Sequence, residues 1–90
     1  MYRIVESQRF YKKALKLFKK NPTLLKKYEK TLALLEKDPY HPSLRLHKFQ
    51  GELKEFYSVS IDMSYRLIID FIIQDDRIIL LDIGLHDDVY

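Results

Sequence analysis

Apolar residues recur along this chain with two different periods, and the change falls near residue 44. Tyr2-Arg3-Ile4-Val5-Glu6-Ser7 alternates weakly and is rich in β-formers, which predicts a short first strand. Ser7 suits a helix N-cap, because its hydroxyl oxygen can accept one of the first free backbone N–H groups. Behind it Phe10, Ala14, Leu15 and Phe18 follow helical spacing with lysines between them, and Tyr11 lies at the edge of that stripe. Asn21-Pro22 stops this helix, since proline disfavours the α conformation in the residue before it. The same proline opens a second helix, whose first position needs no N–H donor. Leu25, Tyr28, Leu32 and Leu35 form the predicted apolar stripe of that helix, with Lys26, Lys27 and Lys30 outside it. Asp38-Pro39 ends it. Two amphipathic helices joined by so tight a break predict a hairpin packed on one sheet face.

After the connector His41-Pro42-Ser43 the period becomes two. Leu44 to Phe49 reads as a short strand or extended arm, and Gln50-Gly51 as a turn or bulge. Phe56 to Ile61 is the next strand, with Tyr57, Val59 and Ile61 on one face and Phe56, Ser58 and Ser60 on the other. Asp62-Met63-Ser64 is a turn. Tyr65 to Ile73 is nearly all apolar and suits the middle of a sheet. Its faces are Tyr65, Leu67, Ile69, Phe71 and Ile73 against Arg66, Ile68, Asp70 and Ile72. Gln74 to Arg77 turns the chain, and Ile78 to Ile83 returns as the last strand. The expected fold class is α+β in the order β-α-α-β-β-β, a helix hairpin packed on a mainly antiparallel, twisted sheet.

Composition narrows the setting. The chain has 90 residues, which suggests one domain over 1–90 with a single core, and its 47% apolar content argues against disorder. Cysteine is absent, which removes disulfides and thiolate metal sites. No apolar run reaches the roughly 18 residues of a membrane span. Basic residues recur through the first half, unlike a signal peptide, so the cytoplasm is the expected location and no membrane partner is expected. Charge is strongly polarised: residues 1–48 hold 13 Lys/Arg against 4 Asp/Glu, while residues 49–90 hold 3 against 9. Such asymmetry points to a polyanion partner, to a basic partner for the acidic half, or to solvated helix faces.

Arg66 stands near the start of a strand otherwise built for burial. A buried guanidinium is costly unless paired, so Arg66 either lies near a sheet end and reaches an anionic substrate, or pairs with an aspartate such as Asp62 or Asp82. If Ile73 pairs with Ile78 across the last turn, Tyr65 falls opposite His86, and His86 faces away from Arg66. One extra residue in the strand reverses that parity. Gly84 is the predicted bulge, because glycine within a strand pattern often marks one. His86 would then join Arg66 on one face, with a pKa suited to proton transfer near neutrality. Its alternative is a surface histidine bonded to Asp87 or Asp88. Those two aspartates with one histidine make a weak metal signature. Tyr90 offers an aromatic face and a phenol, His47 lies on the arm before Gly51, and His41 sits in the connector.

The run Leu46-His47-Lys48-Phe49-Gln50-Gly51-Glu52-Leu53, then Tyr65-Arg66-Leu67-Ile68-Ile69, then Ile83-Gly84-Leu85-His86-Asp87-Asp88-Val89-Tyr90 resembles the RelE/ParE superfamily of bacterial toxins. It is most similar to the YafQ-like branch of mRNA interferases. The resemblance implies a compact β-α-α-β-β-β fold, binding at the ribosomal A site, mRNA cleavage there, and silencing by a cognate antitoxin. It implies that Arg66 holds the scissile phosphate, His86 is a general acid or base, Tyr90 contacts the nucleotide, and His47 is a further catalytic candidate. Lys48, Lys54 and Ser60 complete the candidate substrate contacts. Ser58 and Ser60 depart from the pattern, standing where RelE carries lysines, and Ser60 also stands where the YafQ-like branch has a histidine. Ser64 stands near that branch's aspartate.

RNA cleavage itself needs a base for the 2′-hydroxyl proton, a cation for the phosphorane charge and an acid for the leaving 5′-oxygen. Arg66, His86 and His47 fit those roles with no metal and no cofactor. The helix lysines Lys12, Lys13, Lys16, Lys19, Lys20, Lys26 and Lys27 would grip RNA phosphates, a binding that weakens steeply with salt. The other readings of the same fold are a gyrase poison of the ParE kind and a catalytically weak module that binds RNA or antitoxin.

Overall fold

The computed structural model describes residues 1–48, 56–72 and 75–86, with residues 71 and 72 as strand backbone. β1 (Arg3–Glu6) is followed at once by α1 (Gln8–Lys20), because the Ser7 hydroxyl accepts the Phe10 N–H at 3.1 Å. The Asn21 N–H closes α1 on the Leu17 carbonyl, and Pro22 opens α2 (Pro22–Lys37), so one residue joins the helices. Asp38 closes α2 on Leu34 in the same way. A 3-10 turn over Pro42–Leu44 then ends at Arg45, which is left-handed with φ 50°. That conformation costs a non-glycine residue roughly 1–2 kcal/mol, and here it turns the chain into β2 (His47–Lys48). The arm expected over residues 44–49 thus contributes a two-residue strand among its described residues, while the Gln50-Gly51 turn lies outside them.

β3 (Tyr57–Ser60), β4 (Tyr65–Ile72) and β5 (Arg77–Leu85) complete a five-stranded sheet ordered β1-β5-β4-β3-β2. β1 joins parallel to β5, and the other neighbours are antiparallel. The expected α+β architecture is present, with both helices on one face. Phe10, Ala14 and Phe18 of α1, with Leu24, Tyr28 and Leu35 of α2, bury against Val59, Leu67, Ile69, Ile78, Leu80 and Ile83.

The inward stripe of α2 runs through Leu24, Tyr28, Thr31 and Leu35, and not through Leu25 and Leu32 as the spacing predicts. Leu25 is 40% exposed, and Leu32 is half-buried. The two stripes overlap at Tyr28 and Leu35, and Thr31 disguises the true one. Its hydroxyl donates to the Lys27 carbonyl at 2.9 Å, so a nominally polar residue is buried without loss. In α1, Leu15 likewise lies at the exposed margin. Tyr28 packs between Phe10 and Phe18, with ring centroids 6.3 and 5.0 Å away, and its phenol donates to Glu6 Oε2 at 3.1 Å. Burial and the Glu6 carboxylate push that phenol well above its usual pKa.

The β4–β5 ladder changes register once. Ile72↔Arg77 to Ile69↔Leu80 share one register, Ile68↔Asp82 to Tyr65↔Leu85 share the next, and Leu81 is the extra residue. The bulge predicted at Gly84 is therefore at Leu81, and Gly84 pairs regularly with Arg66. The displacement has a physical cause. β1 pairs with β5 only as far as Leu80, so the strand loses its outer neighbour where it kinks, and bulges favour such edges. The bulge also explains burial: Leu80 and Ile83 both reach the core although two residues, an even number, lie between them.

Ile83→Ala should therefore cost about 2–5 kcal/mol, while Leu81→Ala should stay within about 0.5 kcal/mol. Urea unfolding checks both. Equal losses would place the extra residue elsewhere.

Candidate functional site

Because Leu67 and Ile69 point into the helix-covered core, strand alternation sends Arg66 and Ile68 to the opposite face. The register aligns the open face in cross-strand rows. His47, Ser58, Ile68 and Asp82 form one row, and Ser60, Arg66 and Gly84 form the next. The ladder ends at Leu85, and one further backbone bond follows it, from the His86 N–H to the Ser64 carbonyl at 2.8 Å. His86 thus lies two residues beyond Gly84, one past the end of β5, where the chain turns helical. From strand spacing and rise, its Cα is about 8 Å from that of Arg66, and the Cα of His47 is about 12 Å away. The two histidines flank Arg66 diagonally, one from each side. Both are exposed.

Arg66 is held from behind by a turn. Its Nη1 donates to Ser60 Oγ at 2.6 Å and to the Asp62 carbonyl at 2.9 Å, and Ser60 Oγ itself donates to that carbonyl at 2.8 Å. Asp62 makes the turn rigid. Its Oδ1 accepts the N–H groups of Ser64 at 2.9 Å and Tyr65 at 2.7 Å, and its Oδ2 accepts Lys27 Nζ at 3.1 Å. The carboxylate contact expected between Arg66 and Asp62 or Asp82 is replaced by this carbonyl contact. Asp62 spends its carboxylate on the turn, and Asp82 Oδ1 takes Lys13 and the Ile83 N–H. Gly84, the ladder partner of Arg66, has no Cβ. A larger residue would set one about 5 Å from that of Arg66. His47 is oriented locally: its Nδ1 lies 3.1 Å from the Arg45 carbonyl, which only accepts, so this bond puts the proton on Nδ1.

The family described as "Bacterial toxin of type II toxin-antitoxin system, YafQ" matches residues 2–90. The chain belongs to that family. A metal-bound toxin from Helicobacter pylori superposes with a TM-score of 0.79 at 27% identity, covering 100% of both chains. YafQ from E. coli strain BL21(DE3) gives 0.69 at 22%, covering 100% of this chain and 99% of its own. A chain of the archaeal RelE–RelB complex from Pyrococcus horikoshii OT3 gives 0.74 at 19%, covering 93% of each. Among curated proteins none matches. This YafQ-family member is thus a toxin of a type II toxin–antitoxin system, an mRNA interferase with the RelE-like fold whose partner is an antitoxin.

The YafQ-family fold brings together three of the sequence candidates, His47, Arg66 and His86, and gives Ser60 a different place from the one expected. Ser60 faces the guanidinium as a clasp. Lys12, Lys16, Lys19 and Lys20 are exposed on α1, on the helix side, and so stand across the sheet from Arg66. Lys13 is drawn to Asp82 at the margin of β5. Lys48 pairs with Tyr57 and alternates with His47, which turns it to the other side of the arm. Lys54, Tyr90, Asp87 and Asp88 lie outside the described residues. His41 caps the 3-10 turn, its Nδ1 accepting the Ser43 N–H at 3.2 Å. Sequence reasoning missed the role of Asp62 with Lys27. The available signal was Asp62-Met63-Ser64-Tyr65, an aspartate two and three residues before free N–H donors, which is the pattern of an Asx turn.

Burial works to raise the Asp62 pKa, but the Tyr65 and Ser64 N–H groups and Lys27 outweigh it and hold the carboxyl below its usual range. A depressed folded-state pKa adds stability above the unfolded value, and this is lost as pH falls through the folded one. Wild type should therefore exceed Asp62→Asn in stability by a constant margin from pH 7 to 5, shrinking below about pH 4. Urea unfolding across that range tests it, and a margin independent of pH would remove the charge from this role.

Proposed function

We propose that this toxin, acting as one RelE-like domain over residues 1–90 in the cytoplasm, cuts mRNA without a metal, using Arg66, His47 and His86. The observation that supports this is a backbone diagonal: His47 on β2 and His86 just past β5 lie to either side of Arg66, as attacking and leaving oxygens flank an in-line phosphorus. The 2′-oxygen attacks phosphorus as a base removes its proton. Arg66 carries the charge that builds on the non-bridging oxygens, and an acid protonates the departing 5′-oxygen, leaving a cyclic phosphate and a 5′-hydroxyl. His47, with its proton on Nδ1, presents Nε2 as the base, and His86 serves as the acid. The Ser60 and Asp62 acceptors set the plane of the guanidinium fork before a phosphate arrives, so little reorganisation is left for the transition state. Tyr90 is the proposed nucleotide contact, with Lys48 and Lys54 as further substrate contacts. The α1 lysines Lys12, Lys16, Lys19 and Lys20, across the sheet, suit ribosomal RNA phosphates, and Lys13 belongs with them when Asp82 releases it. No helix among the described residues is long and apolar enough to cross a membrane.

Cleavage mapped on translating mRNA tests the assignment. Arg66→Ala and His86→Ala should each slow cutting by about 10²–10⁴-fold while the antitoxin still binds. Variants as toxic as the parent would sink it. A phenanthroline chelator, which spares the ribosome's magnesium, should leave the rate unchanged, and inhibition reversed by added zinc or copper would overturn the metal-free mechanism.

A further inference from the structure

A groove of about 570 Å³ lies between α2, the 3-10 turn and the β3–β4 turn, and it touches the cleavage site only through Ser60 and Asp62, which support Arg66. One wall is a single stripe of α2: Lys27, Lys30, Leu34 and Lys37, spaced three, four and three residues apart. Leu44 and Ile61 come from the other side, so that with Leu34 they make an apolar floor beneath three ammonium groups. Among the described residues the one acid in the lining is Asp62, whose carboxylate serves Lys27 and the backbone of its own turn. The groove is therefore cationic at its rim and apolar at its floor.

An RNA backbone matches the rim but leaves the floor beside sugars and water. A peptide carrying an apolar side chain between Asp or Glu residues matches both: the side chain covers Leu34, Leu44 and Ile61, and the carboxylates meet the lysines. We propose that this groove docks an acidic, apolar-anchored segment of the cognate antitoxin. The proposal rests on the toxin–antitoxin reading and adds the place and chemistry of the contact. It also bears on inhibition. Ser60 and Asp62 line the groove and clasp Arg66, so a carboxylate arriving at Lys27 competes with Asp62 for it. The antitoxin thereby reaches the arginine's support from behind, without covering the open face.

The test uses the full-length toxin, the antitoxin that copurifies with it, and a double variant, Lys30→Glu with Lys37→Glu. Both lysines are exposed and remote from the cleavage residues, so the variant should fold and cut mRNA at the parental rate when free. Its antitoxin affinity should fall by at least roughly tenfold, with a weaker dependence on salt. Leu34→Asn should weaken binding at every salt concentration, separating the floor from the rim. Parental affinity in both variants overturns the proposal. So does parental antitoxin affinity with slowed ribosome-dependent cutting, which would assign the groove to RNA. A wild type that leaves translation running would instead refute the toxin reading, and the affinity comparison would still report on the groove.

Discussion

The helix hairpin buries one face of the sheet, and the alternation this imposes sets the position of the candidate residues on the strands. Leu67, Ile69, Ile78, Leu80 and Ile83 must all reach the same core. Fully burying such a side chain is worth about 1.5–3 kcal/mol, far more than any surface contact at the site. The intervening residues are consequently driven to the opposite face. Arg66 is exported by the burial of Leu67 and the partial burial of Tyr65, and the kink at Leu81 keeps Ile83 inside. Stability and function here share one alternation.

Within that frame the β3–β4 turn supplies precision. The exposed Lys27–Asp62 ion pair contributes little by itself, about 0–1 kcal/mol. The backbone N–H groups of Ser64 and Tyr65 matter more, because they close the turn that aims the Asp62 carbonyl at Arg66. A serine at position 60 then does something a histidine or lysine would do differently: its small hydroxyl bridges guanidinium and carbonyl at 2.6 and 2.8 Å. The departure from the family pattern becomes a tether for the cation.

What could be read from the residues follows the range of the forces involved. Ser7, Asn21-Pro22 and Asp38-Pro39 mark helix ends through contacts within four residues, and all three were legible. The α2 stripe was blurred because Thr31 is apolar only once its hydroxyl has bonded back to Lys27. A one-residue bulge in the last strand was predicted, but at the wrong residue: its position at Leu81 depends on where β1 stops pairing, a contact more than 70 residues away in sequence. Arg66 was recognised as needing a partner. That the partner is the Asp62 carbonyl depends on backbone direction, which side-chain chemistry does not encode.

The single residue between the helices has a consequence for how long this protein lasts. Asn21 ends α1 and precedes α2 with no loop between them, so residues 8–37 offer no extended segment of the kind a protease threads into its cleft. A third of the chain is thereby closed to such cleavage for as long as its two helices hold.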